Sequence, residues 1–154
     1  MRTLLFPIAR WFSHARAAPT GGARHWRGWG CAFLFLATSA SGADKLDVPS
    51  GQDIRLSEVL IDENPGALWL RFRFLAPQIS RDTGSIVYNQ AAIDMAHLCD
   101  VVAAPFAIDE GIEPERIVIS LADRWVEFGV QDPDATQFFE TYRLESARCI
   151  WEEF

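Results

Sequence analysis

The sequence predicts an α+β fold: an antiparallel sheet built from hairpins, with one long amphipathic helix packed on one face. Three observations carry this reading. Leu68, Leu70, Phe72 and Phe74 alternate with Trp69, Arg71, Arg73 and Leu75, which is the period of a half-buried strand. Between Tyr88 and Ala104 the spacing changes to three and four, through Ala91, Met95, Leu98, Cys99 and Val102, which is one stripe of a helix. Runs rich in β-branched and aromatic residues, separated by turn residues, then recur to the end of the chain. A long helix between strand pairs favours an antiparallel sheet with the helix laid against it.

Residues 1–43 contain no Asp or Glu. Arg2, Arg10, Arg16, Arg24 and Arg27 precede an apolar run from Trp29 to Ala40 and the small residues Ser41-Gly42-Ala43, the order of a signal peptide with a long basic leading region. Cleavage is expected between Ala43 and Asp44, which implies a periplasmic or secreted protein. The apolar run falls short of the ~20 residues that a spanning helix needs, so no stable membrane span is expected after cleavage. The clusters Leu4-Leu5-Phe6 and Trp11-Phe12 also fit a start assigned too far upstream or an organellar presequence. Cys31 opens the apolar run instead of following it, which argues against a lipid-bearing cysteine.

From Asp44 to Phe154 the chain is expected to form a single acidic domain. Five of the 14 Lys and Arg lie in the leader, which leaves nine against all 21 Asp and Glu and a formal charge of −12. Such a surface disfavours nucleic acid and anionic lipid, both of which are bound through clustered Lys and Arg. Residues 44–53 read as an exposed lead-in with a turn at Pro49-Ser50-Gly51. Ile54 to Ile61 and Leu68 to Leu75 form the first hairpin around Asp62-Glu63-Asn64-Pro65-Gly66. The helix follows from Tyr88 to Ala104; Pro105 disturbs it, one further turn can continue through Phe106, and Gly111 and Pro114 end the segment. Ile117 to Leu121 and Trp125 to Val130 read as a second hairpin around Ala122-Asp123-Arg124. Thr136 to Leu144 and Cys149 to Glu153 read as a third around Glu145-Ser146-Ala147, although Ala135, Phe138, Phe139 and Tyr142 also share a helical face between Asp134 and Arg143.

Cys99 and Cys149 are the two cysteines after Asp44, and one disulfide between them is the economical assignment in an oxidising compartment; two buried free thiols are the alternative. No Cys-x-x-Cys is present. His97 has Asp94 and Asp100 three residues to either side, but three polar residues on one exposed helix face fit a solvated surface better than a zinc site. Ser57, Ser80, Ser85, Ser120 and Ser146 lack a Gly-x-Ser-x-Gly setting, and the acidic pairs at 62–63, 109–110, 113/115 and 132/134 lack calcium-loop spacing. The sequence therefore yields no catalytic residue, no metal ligand and no cofactor. Its distinctive local feature is Arg71 and Arg73 beside Trp69 on one side of the clearest strand, with Arg143 on a strand of the same sheet. Arg and Trp dominate binding hot spots, so these four form a candidate partner-binding face for an envelope protein; cross-strand ion pairs with Glu127 or Glu140 are the structural alternative.

Leu68 to Phe74, Asp94 to Cys99, Ile117 to Arg124, Val126 to Gly129, Ala135 to Glu140 and Cys149 to Phe154 resemble a small exported alphaproteobacterial family of unknown function. The resemblance spans nearly all of the chain after the leader. It implies a one-domain envelope protein and supplies no catalytic residues. Members of that family sometimes carry the label acetolactate synthase. This sequence does not support the label, because it lacks the Gly-Asp-Gly metal motif of a thiamine-diphosphate enzyme and is far shorter than one. A non-catalytic interaction or accessory module is the expected function, with a small exported enzyme or ligand carrier as the alternative.

Overall fold

The computed structural model describes residues 2–3, 45–63 and 66–153. The proposed signal peptide therefore lies outside the described residues, apart from its second and third positions. Strands β1 (Arg2–Thr3), β2 (Lys45–Leu46), β3 (Ile54–Asp62) and β4 (Trp69–Leu75) precede a helical segment; β5 (Arg116–Ala122), β6 (Gln137–Glu145) and β7 (Arg148–Glu152) follow it. The sheet runs β1-β3-β4-β5-β6-β7, with β2 on the same edge of β3 as β1. The β4–β5 pair is parallel and the other pairs are antiparallel, so the fold is α+β with a mostly antiparallel sheet.

The parallel β4–β5 pair explains where the helix goes. Parallel neighbours need a long crossover, and here it contains α1 (Tyr88–Leu98), a π-helical turn (Cys99–Ala103) and α2 (Ala104–Asp109). Pro105 does not break the segment. The backbone N–H of Ala104 instead reaches the carbonyl of Cys99, so the extra residue of the π turn shifts the register just before the proline, whose missing N–H falls in the first turn of α2. Tyr88–Asp109 is long and apolar enough to cross a membrane by length and composition. Its Ala91, Met95, Leu98 and Cys99 are instead fully buried in the core with Leu70, Phe72, Phe74, Ile117, Ile119, Leu121 and Tyr142. Phe106 meets the ring of Phe72 edge-on at 5.5 Å between centroids. The disulfide Cys99–Cys149 joins the π turn to β7.

Two sequence expectations are corrected and a third is borne out. Trp125 to Val130 is not a strand: β5 already has β4 on one edge and β6 on the other, so no edge is left for it to pair with. It is a loop with a turn closed by Val130 N–H to Glu127 O at 3.1 Å. The strand expected from Thr136 to Leu144 is present as β6, Gln137–Glu145, and the helical alternative for residues 134–143 is not taken. The lead-in is not an exposed tail either. Its turn is present, with Gly51 at φ 73° and its N–H on Val48 O at 2.9 Å, but Val48 and Gln52 are buried.

Asp94 holds that lead-in. It is fully buried in the middle of α1 and accepts hydrogen bonds from Ser50 N–H (2.9 Å), Ser50 Oγ (2.5 Å) and Gln52 Nε2 (2.6 Å). Its charge is satisfied by neutral donors, which is how a carboxylate can remain buried without a cation. The polar face expected around His97 is thus divided between two tasks. Asp94 points inward, while Asp100 accepts from Cys149 N–H at 3.0 Å and from Arg148 at 3.3 Å and so fixes β7 beside the disulfide.

Candidate functional site

Strand register places Trp69, Arg71 and Arg73 of β4 on the sheet face away from the core helix. Alternation and pairing bring Glu58 and Asp62 of β3, Arg116, Val118 and Ser120 of β5, and Phe139, Thr141 and Arg143 of β6 onto the same face. All four residues of the predicted face therefore share one side of the sheet. They are not free cations. Arg71 Nε lies 3.0 Å from Asp62, Arg73 Nη1 lies 2.6 Å from Glu58, and Arg143 lies 2.5 Å from Glu152 and 2.8 Å from Glu145. The expected partners Glu127 and Glu140 are not used, because Glu127 is in the exposed loop and Glu140 faces the core side of β6.

The loop after β5 crosses this face as a strap. Arg73 Nη2 donates to the carbonyl of Val126 at 2.5 Å, and Val126 is buried. The flanking rings complete an alternating stack. The Arg116 and Arg71 guanidinium carbons lie 5.7 and 4.8 Å from the Trp69 ring centre. Arg71 and Arg73 are each 5.7 Å from Phe128, and Arg73 is 5.6 Å from Trp125. Cation–π attraction acts within about 6 Å, so the row runs Arg116, Trp69, Arg71, Phe128, Arg73, Trp125. The carboxylates of Asp62, Glu58 and Glu152 neutralise it from the sides.

This arrangement turns the arginines into a rigid, charge-matched base and leaves apolar groups outermost. Trp125 is 58% exposed, Phe139 56%, Ile150 40% and Phe128 37%, and the last two flank the same face from β7 and from the strap. The sequence reading puts Trp125 and Phe128 on the returning strand of a second hairpin and so does not mark them as part of the face. The signal that could have found them was the mismatch between the apolar Trp125, Val126 and Phe128 and the turn formers Gly129, Gln131, Asp132 and Pro133 that crowd the same stretch.

Other constellations do not converge on chemistry. Among the described residues no group of His, Cys, Asp and Glu is arranged to hold a metal ion. Ser120 is buried and donates to the Phe72 carbonyl at 3.3 Å. On the opposite side of the sheet, buried Glu140 accepts from Tyr88 Oη and from Trp151 Nε1, tying the start of α1 to β6 and β7. That hydrogen bond, followed by burial and the charge of Glu140, raises the Tyr88 phenol above its ordinary value. Tyr142 is raised further, first by burial and then by the negative charges around it. A cleft of about 500 Å³ opens at one end of the molecule between the end of α2 and the β6–β7 turn.

A family model described as Family of unknown function (DUF6497) matches residues 32–154, which takes in every described residue from Lys45 onward. No curated protein and no solved structure matches the chain.

Proposed function

The chain belongs to that family of unknown function, and from this premise we propose that it is an exported, non-catalytic interaction module that docks an envelope protein through the strapped face of its sheet. The observation that carries the reading is the exposure of Trp125, Phe128 and Phe139 around a row of arginines whose charges are already matched. Aromatic anchors on a preorganised base fit the centre of an interface, where truncation of one such ring commonly costs 2 kcal/mol or more of binding. The domain's net negative charge selects a partner whose contact surface is apolar at its centre and neutral to basic at its rim.

Export is supported by the acid-free arginine-rich leader and by the disulfide, which persists in oxidising compartments. The intact mass of the endogenous protein from a fractionated native host, taken without reductant, tests this part. A species beginning at Asp44, two hydrogens light and periplasmic, is expected; a full-length reduced species in the cytosol would reject it. Docking is tested by photo-crosslinking from position 128 in the same host. One discrete envelope adduct is expected, lost in Trp125→Ser/Phe139→Ser with the melting temperature unchanged. An adduct that survives that double substitution, or none at all, removes the docking reading.

A further inference from the structure

The cleft at the end of the molecule has the volume of a small-molecule site, within the range of roughly 300–1,000 Å³ usual for such pockets. Its walls are mixed: Ile108 from α2, Ile112 from the following loop, Leu144 from β6 and Ala147 from the β6–β7 turn supply apolar side chains, and Glu113 and Ser146 supply polar ones. Ile108 is 52% exposed. Two further features give the site a sign. Glu113 lines the cleft, Asp109 and Glu110 stand at the end of α2 beside it, and none of the three has an ion pair among the described residues. The nearest arginines in sequence across the turn are spent elsewhere, Arg143 on Glu145 and Glu152 and Arg148 on Asp100. The carbonyl end of the 22-residue helical segment also closes here and adds partial negative charge.

The turn on the other wall holds side chains where glycine would be relaxed. Ser146 and Ala147 sit at φ 49° and 64°, in the two-residue connection that Asn-Gly usually fills. Glycine at those positions would remove the Ala147 methyl and the Ser146 hydroxyl from the wall of the cleft.

We propose that this cleft binds a small organic cation with an apolar body, such as an alkylammonium, with its chain against Ile108, Ile112, Leu144 and Ala147 and its charge beside Glu113. The site lies apart from the strapped sheet face and does not depend on its role. Octylammonium and octanoate below their micelle concentrations, and octanol below its solubility limit, serve as probes in calorimetric titrations of the full-length oxidised chain. Octylammonium is expected to bind at least tenfold more tightly than octanoate, with octanol between them. Glu113→Gln removes one partly solvated charge contact and should weaken octylammonium by roughly fivefold while sparing octanol. Ile108→Asn, at an exposed helical position, should weaken both. Equal affinity for octylammonium and octanoate, or octylammonium binding that neither substitution changes, overturns the proposal, as does the absence of octylammonium binding.

Discussion

Asp94 is buried with no ion pair among the described residues, and three hydrogen bonds from Ser50 and Gln52 satisfy its carboxyl oxygens. Removing it strands those donors in the interior, where each unsatisfied polar group costs about 1–3 kcal/mol. Asp94→Ala is therefore expected to lower unfolding free energy by about 3 kcal/mol, read as a lower urea midpoint at unchanged slope, and to open the lead-in to proteolysis. Spacing placed this residue on a polar helix face, yet nothing in the spacing could reveal that Ser50 and Gln52 fold back over it. Ala147 gives the opposite sign. Its left-handed backbone costs about 1 kcal/mol that glycine does not incur, so Ala147→Gly should raise the melting temperature by a few degrees.

The strap and the disulfide act at the level of elements. Arg73 joins β4 to β3 through Glu58 and to the strap through the Val126 carbonyl, and it is largely buried. Arg73→Ala leaves Glu58 half-buried without its partner and should cost about 2–3 kcal/mol, whereas Arg143→Ala, on the solvent-exposed part of the same face, should cost under about 1 kcal/mol. Urea melts of the two variants check the contrast; equal losses would mean that the strap does not depend on Arg73. The Cys99–Cys149 bridge closes a 50-residue interval and should contribute about 4 kcal/mol by chain entropy. The pairing was legible because Cys99 and Cys149 are the two cysteines after Asp44. That Cys99 begins a π turn was not, because the turn is a response to Pro105 inside an apolar crossover.

For the molecule as a whole, alkaline pH is a predicted weakness. The phenols of Tyr88 and Tyr142 keep their protons above the ordinary value near 10, whereas in the unfolded chain they release them there. The folded state then binds more protons than the unfolded state, so stability falls as pH rises past about 10. Thermal melts from pH 9 to 11.5 should show a steepening loss, and Tyr142→Phe should flatten it. An unchanged slope in that variant would assign the loss to another group that titrates in this range, Tyr88 first.

Local patterns in the sequence were sufficient to define the α+β class, β3 and β4, the crossover helix and the cysteine pair, because each rests on a periodicity or a count contained in a short stretch. They also put Trp69, Arg71 and Arg73 on one face of a strand, since alternation decides which side chains within a strand share a face, whereas the register of β5 and β6 decided that Arg143 joins them. The parallel β4–β5 pairing, the conversion of Trp125 to Val130 from an expected strand into a strap, the partners Asp62 and Glu58, and the cleft between α2 and the β6–β7 turn were decided only in three dimensions. Each depends on which edge or surface remains free once distant segments have packed, and such competition between segments leaves no periodic trace along the chain.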